Sequence, residues 1–268
     1  MKNNNKLFIL GLDGLEYNLV KERNLTNLMQ LQNGTIEVPI HGKLKVPLSP
    51  QVWASFLTGK VVNDTDFKTS SKVHDLLIYA RAKIEQLTTK RISLGLSRKV
   101  RPRLFPKLNQ KTFLDLPHVA EINAPFYSYD EKVLKTIGGL NDDQANLDEV
   151  ITKVVDYYLE LEEYILDQTT NQSGNIKVTF AFMPYPDILH HLLFLRPLEI
   201  HKHYEFLDVF VEYLKLWIDP NTKFIIVSDH GFNMTSGEHS NYGFFSSNKT
   251  LSPKPTNITN FYNLVVKK

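Results

Sequence analysis

The chain has 268 residues, enough for one substantial core and too few for two full-sized domains. Its 31 Lys and Arg nearly balance 29 Asp and Glu, a net charge of +2, so no global field calls for a nucleic-acid or membrane partner. Cysteine is absent, which excludes a disulfide framework and thiolate ligands and leaves Asp, Glu, His and hydroxyl oxygens to hold any metal.

The first apolar run, Leu7 to Leu10, is short and is interrupted at Asp13. It is too brief for a signal h-region or a membrane span and is expected to form the first core strand of a cytoplasmic protein. Asn27 to Leu31 has helical spacing with a stop at Asn33-Gly34, and Thr35 to Ile40 has the composition of a strand. Ser49 as N-cap, Pro50 as first helical residue and Gly59 behind Thr58 delimit a short helix over 51–58.

Between about 66 and 111 the character changes to a basic helical insertion. A helix-like stretch from Val73 to Leu87 runs into a segment with eight Lys or Arg between Lys90 and Lys111, and no acid occurs between Glu85 and Asp115. Such runs are usually solvated surface; a polyanion such as nucleic acid is the weaker reading. Order resumes as a strand at Val119 to Ile122, a long amphipathic helix from Leu147 to Leu166 and a turn at Ser173-Gly174. The strand Val178 to Phe182, a helix from Tyr204 to Trp217 and the strand Phe224 to Val227 complete a β-α-β rhythm.

Three of these strands end at chemistry-bearing residues: Asp13, the pair Asp187 and His191, and Asp229-His230. Open α/β sheets bind ligands beyond their strand C-termini, and Asp is seldom fully buried unless paired or coordinated. Asp187 and His191 share a face if the chain turns helical, so they can share an ion; equally, Asp187 can cap the helix while His191 packs in the core. Gly231 offers Asp229 and His230 the freedom to diverge toward two ions, or marks a plain strand-to-loop transition. His190 is expected to be structural. Ser49 as a helix cap is the simpler reading of that residue taken alone; its functional alternative is a nucleophile among the unpaired N–H groups of a helix start.

Taken in order, FILGLDG, NLTNLMQLQNG, PLSPQVWASFLTGK, INAPFYSYD, FMPYPDILHH, SDHGF and GEHSNYGFF resemble successive segments of the alkaline phosphatase superfamily, in its type I phosphodiesterase and nucleotide pyrophosphatase branch. The resemblance implies an α/β three-layer sandwich with a mixed, mostly parallel central sheet flanked by helices. It implies that Asp187, His191 and His239 hold one divalent ion and that Asp13, Asp229 and His230 hold another, with Ser49 facing the second as nucleophile. Three imidazoles favour zinc, with manganese second. The implied reaction is hydrolysis of a small phosphodiester or nucleotide through a phosphoseryl intermediate. The alternatives are a phosphomonoesterase or phosphomutase on the same site, or an inert protein that retains metals. After TGK the chain departs from the branch: VVNDTDF replaces a Pro- and His-Gly-containing loop, leaving Asn63 as the candidate for holding phosphate there. The sequence leaves the oligomeric state open.

Overall fold

The runs LFILGL, VTFAFM and KFIIVS are apolar almost without interruption and rich in β-branched and aromatic residues, the composition of strands buried on both faces. In the computed structural model, which describes residues 6–63, 105, 108–132, 147–172 and 174–268, they are the three adjacent parallel strands at the centre of one sheet. The elements in chain order are β1 (Leu7–Leu12), α1 (Tyr17–Glu22), α2 (Thr26–Met29), β2 (Gln32–Glu37), α3 (Ser49–Thr58) and β3 (Val119–Ile122). There follow α4 (Leu147–Thr170), β4 (Val178–Met183), α5 (Asp187–Leu193), α6 (Pro197–Trp217) and β5 (Lys223–Ser228). The chain closes with β6 (Gly231–Asn233), β7 (Glu238–Ser240), β8 (Tyr242–Ser247) and α7 (Tyr262–Val266).

The six-stranded sheet has the order β2-β8-β5-β1-β4-β3. β3, β4, β1 and β5 run parallel, and β8 alone is reversed, pairing antiparallel with both β5 and β2. The fold is therefore a mixed, mostly parallel α/β sandwich, as expected. Alternation along β1 builds its two cores. Phe8, Leu10 and Leu12 pack with residues of α4, α5 and α6 such as Tyr158, Leu193 and Tyr204, whereas Leu7 and Ile9 pack with Trp53 and Phe56 of α3 and with Phe180 and Phe261. Among the described residues no helix is long and apolar enough to cross a membrane.

Local details depart from expectation where tertiary pairing outcompetes local signals. Asn33 and Gly34 do not stop a helix; they lie inside β2, paired with Ser246 and Phe245 of β8, and β2 ends at Glu37 rather than Ile40. Ser49 is not the N-cap of α3. Leu48 is, in extended geometry, so Ser49 is the first helical residue and Pro50 the second. That single-residue shift releases the Ser49 hydroxyl from capping. The helix end is as expected, with Gly59 left-handed at φ 69°. α4 runs four residues beyond Leu166, and α6 begins at Pro197, seven residues before Tyr204. The Val73 to Leu87 stretch and most of the basic segment lie outside the described residues.

Candidate metal centre

Three parallel strands ending side by side fix three loops at one edge of the sheet. Asp13 follows β1, Asp187 begins α5 just after β4, and Asp229 follows β5. The loops are stitched together: Gly14 N donates to Asp229 Oδ1 at 3.1 Å, Leu15 N to Ser228 Oγ at 2.8 Å, and Asp187 N to the Asp13 carbonyl at 2.9 Å. Gly14 is left-handed at φ 73°, and a Cβ there would stand 2.7 Å from Asp187 Cβ, so only glycine admits this approach of the Asp13 and Asp187 loops.

All seven residues singled out in the sequence converge here, in two adjoining groups. In one, His191 Nε2 and His239 Nε2 lie 3.4 and 3.5 Å from Asp187 Oδ1 and 3.2 Å from each other. In the other, His230 Nε2 lies 3.4 Å from Asp13 Oδ1 and 3.3 Å from Asp229 Oδ2. Ser49 Oγ joins the second group, 3.0 Å from Asp13 Oδ1 and 3.1 Å from His230 Nε2. The His230 and His239 rings stack with centroids 3.7 Å apart and so join the two groups.

Gly231 opens β6 rather than supplying a left-handed turn. Its φ is not left-handed; glycine is required because a Cβ would meet Glu16 Oε2 at 2.2 Å. His190 is structural: fully buried, stacked on Phe232 at 4.5 Å and 3.0 Å from Tyr204 OH, with burial pushing its pKa down to about 3.

The donor set fits divalent cations on three counts. Asp187 Oδ1 and Asp229 Oδ2 are buried without a hydrogen-bond donor, and they are the oxygens that the imidazole nitrogens face. A buried carboxylate oxygen left unsatisfied costs more than about 1–3 kcal/mol. Second, with Nδ1–H donating to a carbonyl, Gly231 O at 3.0 Å for His230 and Pro47 O at 3.1 Å for His239, each Nε2 presents a lone pair to the carboxylates, an arrangement that attracts only with a cation between. Third, among the described residues no Lys or Arg forms a salt bridge with the three carboxylates.

Without a cation, two of the three carboxylates, Asp13 and Asp229, would tend to hold protons instead. Burial, with the charges of Asp229 and Asp187, raises the Asp13 carboxyl well above its usual range. Burial and Asp187 push Asp229 up to about 7. Burial acts upward on Asp187 too, but the imidazoles of His191, His239 and His230 outweigh it and hold that carboxyl low. Burial, reinforced by His239, keeps the His230 imidazole neutral.

Sequence reasoning missed the support around these groups. Trp53 Nε1 donates to Asp13 Oδ2 at 3.3 Å, and Glu16 binds several loops at once. Trp53 looks like ordinary core at helical spacing. Glu16 follows Asp13 by three residues, and a charged residue just before a helix resembles a cap, which it also is: Glu16 Oε1 accepts from Asn18 N.

The Type I phosphodiesterase / nucleotide pyrophosphatase family matches residues 74–251, about two-thirds of the chain. The chain belongs to that family. The match contains Asp187, His191, Asp229, His230 and His239, while Asp13 and Ser49 lie before it. No curated protein sequence matches the chain. Among solved structures, this family member is similar to an inactive variant of murine ectonucleotide pyrophosphatase / phosphodiesterase 5 in complex with AMP, at 12% identity and a TM-score of 0.42. It is similar also to the human ectonucleotide pyrophosphatase / phosphodiesterase 5, at 12% identity and a TM-score of 0.40. Each comparison covers 84% of this chain and 57% of the other, so the chain spans little over half the length of those proteins.

Proposed function

We propose that this family member is a two-metal phosphodiesterase acting on a small phosphodiester or nucleotide, with Ser49 as nucleophile. The observation that carries the reading is the pair of contacts at Ser49 Oγ, with Asp13 Oδ1 and His230 Nε2 at 3.0 and 3.1 Å. Both partners are acceptors, and Ser49 has one proton to give. A hydroxyl so placed is poised to lose its proton and attack.

Asp187, His191 and His239 would hold one ion and Asp13, Asp229, His230 and Ser49 the other, zinc first and manganese second given the imidazoles. Ions bound there supply Lewis acidity and neutralise charge on the phosphoryl group. The chain's own contribution is to place Ser49. Its position as first residue of α3, in a helix otherwise almost wholly buried, holds Oγ rigidly at the sheet edge.

In the first step Ser49 Oγ forms a bond to phosphorus as the bond to the leaving oxygen breaks, and the hydroxyl proton passes by way of Asp13 to the departing alcohol. In the second, water attacks the phosphoserine, the Oγ–P bond breaks, the water oxygen stays on the phosphate, and one of its protons restores the Ser49 hydroxyl. One domain carrying a basic insertion at about 66–111, in the cytoplasm, completes this reading. It rests on the sequence alone.

The test is hydrolysis of a chromogenic diester, a monoester and a dinucleotide by metal-loaded protein. Diester turnover that depends on both added metal and Ser49 supports the reading; faster monoester turnover moves it to a phosphomonoesterase on the same site.

A further inference from the structure

One carboxylate outside the seven site residues holds several parts of the site in place at once. Glu16 is only 5% exposed, and each of its oxygens accepts two hydrogen bonds. Oε1 takes Asn18 N at 3.0 Å and Tyr242 OH at 2.6 Å. Oε2 takes Phe232 N at 2.9 Å and Ser240 Oγ at 3.0 Å. Its backbone N–H donates to Tyr204 OH at 2.8 Å, and that hydroxyl lies 3.0 Å from Nε2 of His190, the neighbour of His191.

The partners of Glu16 are distributed so that each borders a site residue. Glu16 is on the Asp13 loop, Phe232 is two residues after His230, Ser240 follows His239 directly, and Tyr242 opens β8 behind it. Gly231 leaves the room that lets β6 come this close to the carboxylate. A carboxylate offers about four acceptor sites and no donor, which matches four converging donors; a carboxamide would turn an NH2 group onto two of them. Charge-assisted bonds of this kind are short and strong, as the 2.6 Å contact with Tyr242 OH is.

We infer that Glu16 is a positioning residue that sets His239 and its β6–β7 hairpin against the Asp13 loop, and so fixes the spacing of the two metal-holding groups. The inference rests on the two-metal reading. Residues that orient metal ligands from behind commonly contribute about 10–100-fold to metal affinity.

The experiment is titration of metal-free wild type, Glu16→Gln, Tyr242→Phe, His239→Ala and the Glu16→Gln/His239→Ala double variant with zinc against a chromogenic chelator, with melting temperatures of the metal-free forms. Wild type is expected to take two ions per chain. Glu16→Gln is expected to lose about 10–100-fold in affinity for one ion and little for the other. The double variant should lose scarcely more than His239→Ala alone, because both act on the same ion. Purely structural support would instead lower the melting temperature and leave affinity untouched.

Two ions in wild type with unchanged affinity in Glu16→Gln overturn the inference alone. Should Glu16→Gln fail to fold, Tyr242→Phe, which removes one of the four donors, carries the test through a several-fold loss at the same ion, and unchanged affinity there overturns it equally. No ions in wild type removes the metal reading and this inference with it.

Discussion

Ser49 Oγ and His230 Nε2 stand 3.1 Å apart across a sequence separation of 181 residues, with the His230 ring fixed from behind by its own Nδ1 and Gly231 O. A serine serving only as a helix cap would turn its oxygen to the backbone of its own first turn. This one turns away, because Leu48 already occupies the cap position. Ser49→Ala is therefore expected to change stability by no more than about 1 kcal/mol while lowering diester hydrolysis by about three orders of magnitude or more. Ser49→Thr should keep measurable turnover. Initial rates beside melting curves decide it, and near wild-type hydrolysis by the alanine variant would return Ser49 to a structural role.

Metal content should divide between the two groups. Elemental analysis of purified protein is expected to find up to two divalent ions per chain, falling by one or more in both Asp187→Ala and Asp229→Ala. Chelation should lower the melting temperature, since an ion held at a hundred times its dissociation constant stabilises by about 2.7 kcal/mol. Unchanged content in both variants would refute the ligand assignment.

Gly14 supplies a steric test of the approach between the Asp13 and Asp187 loops. Gly14→Ala would carry a Cβ at φ 73° and 2.8 Å from Asp187 Cα, and is expected to cost more than about 2 kcal/mol and to lower metal content. Gly174→Ala, where nothing lies within 4 Å, is the control. Equal stability of the two variants would show that the loops part without penalty.

Glu162 on α4 is expected to make stability depend on pH. Burial pushes its carboxyl from the ordinary 4.5 up to about 7. Between those values the folded chain keeps a proton that the unfolded chain has released. Stability from this group is therefore full below about 4.5 and falls as pH rises toward 7. Glu162→Gln should remove that slope, gaining on wild type by about 2–3 kcal/mol between pH 4.5 and 7.5. Denaturant unfolding at both pH values measures it, and a constant difference would mean that Glu162 ionises normally in the fold.

The central strands could be anticipated because continuous apolar runs have few other fates, and β1, β4 and β5 match them to within two residues at each end. The candidates Asp13, Asp187, Asp229 and His230 stood out because Asp and His near the ends of such runs are poor packing choices, whereas His239, and Ser49 as a nucleophile, came from the family resemblance. What could not be foreseen depended on partners far along the chain. Asn33-Gly34 has the local chemistry of a helix stop, and only the pairing of β2 with β8 overrides it. The need for glycine at 231 arises from the carboxylate of Glu16, 215 positions earlier, which no window of sequence displays.

The placement of β1 between β5 and β4 makes the sheet a ruler. Neighbouring strands are held about 4.8 Å apart by their hydrogen-bond ladders, so the loops bearing Asp229, Asp13 and Asp187 start at intervals set by peptide geometry and independent of side chains. Changes to the loops or to the helices leave those intervals alone. On the proposed reading, substrate preference could drift by mutation while the spacing of the three carboxylate-bearing loops stays fixed. An engineer seeking new specificity should vary the segments around the site and keep the three strands intact.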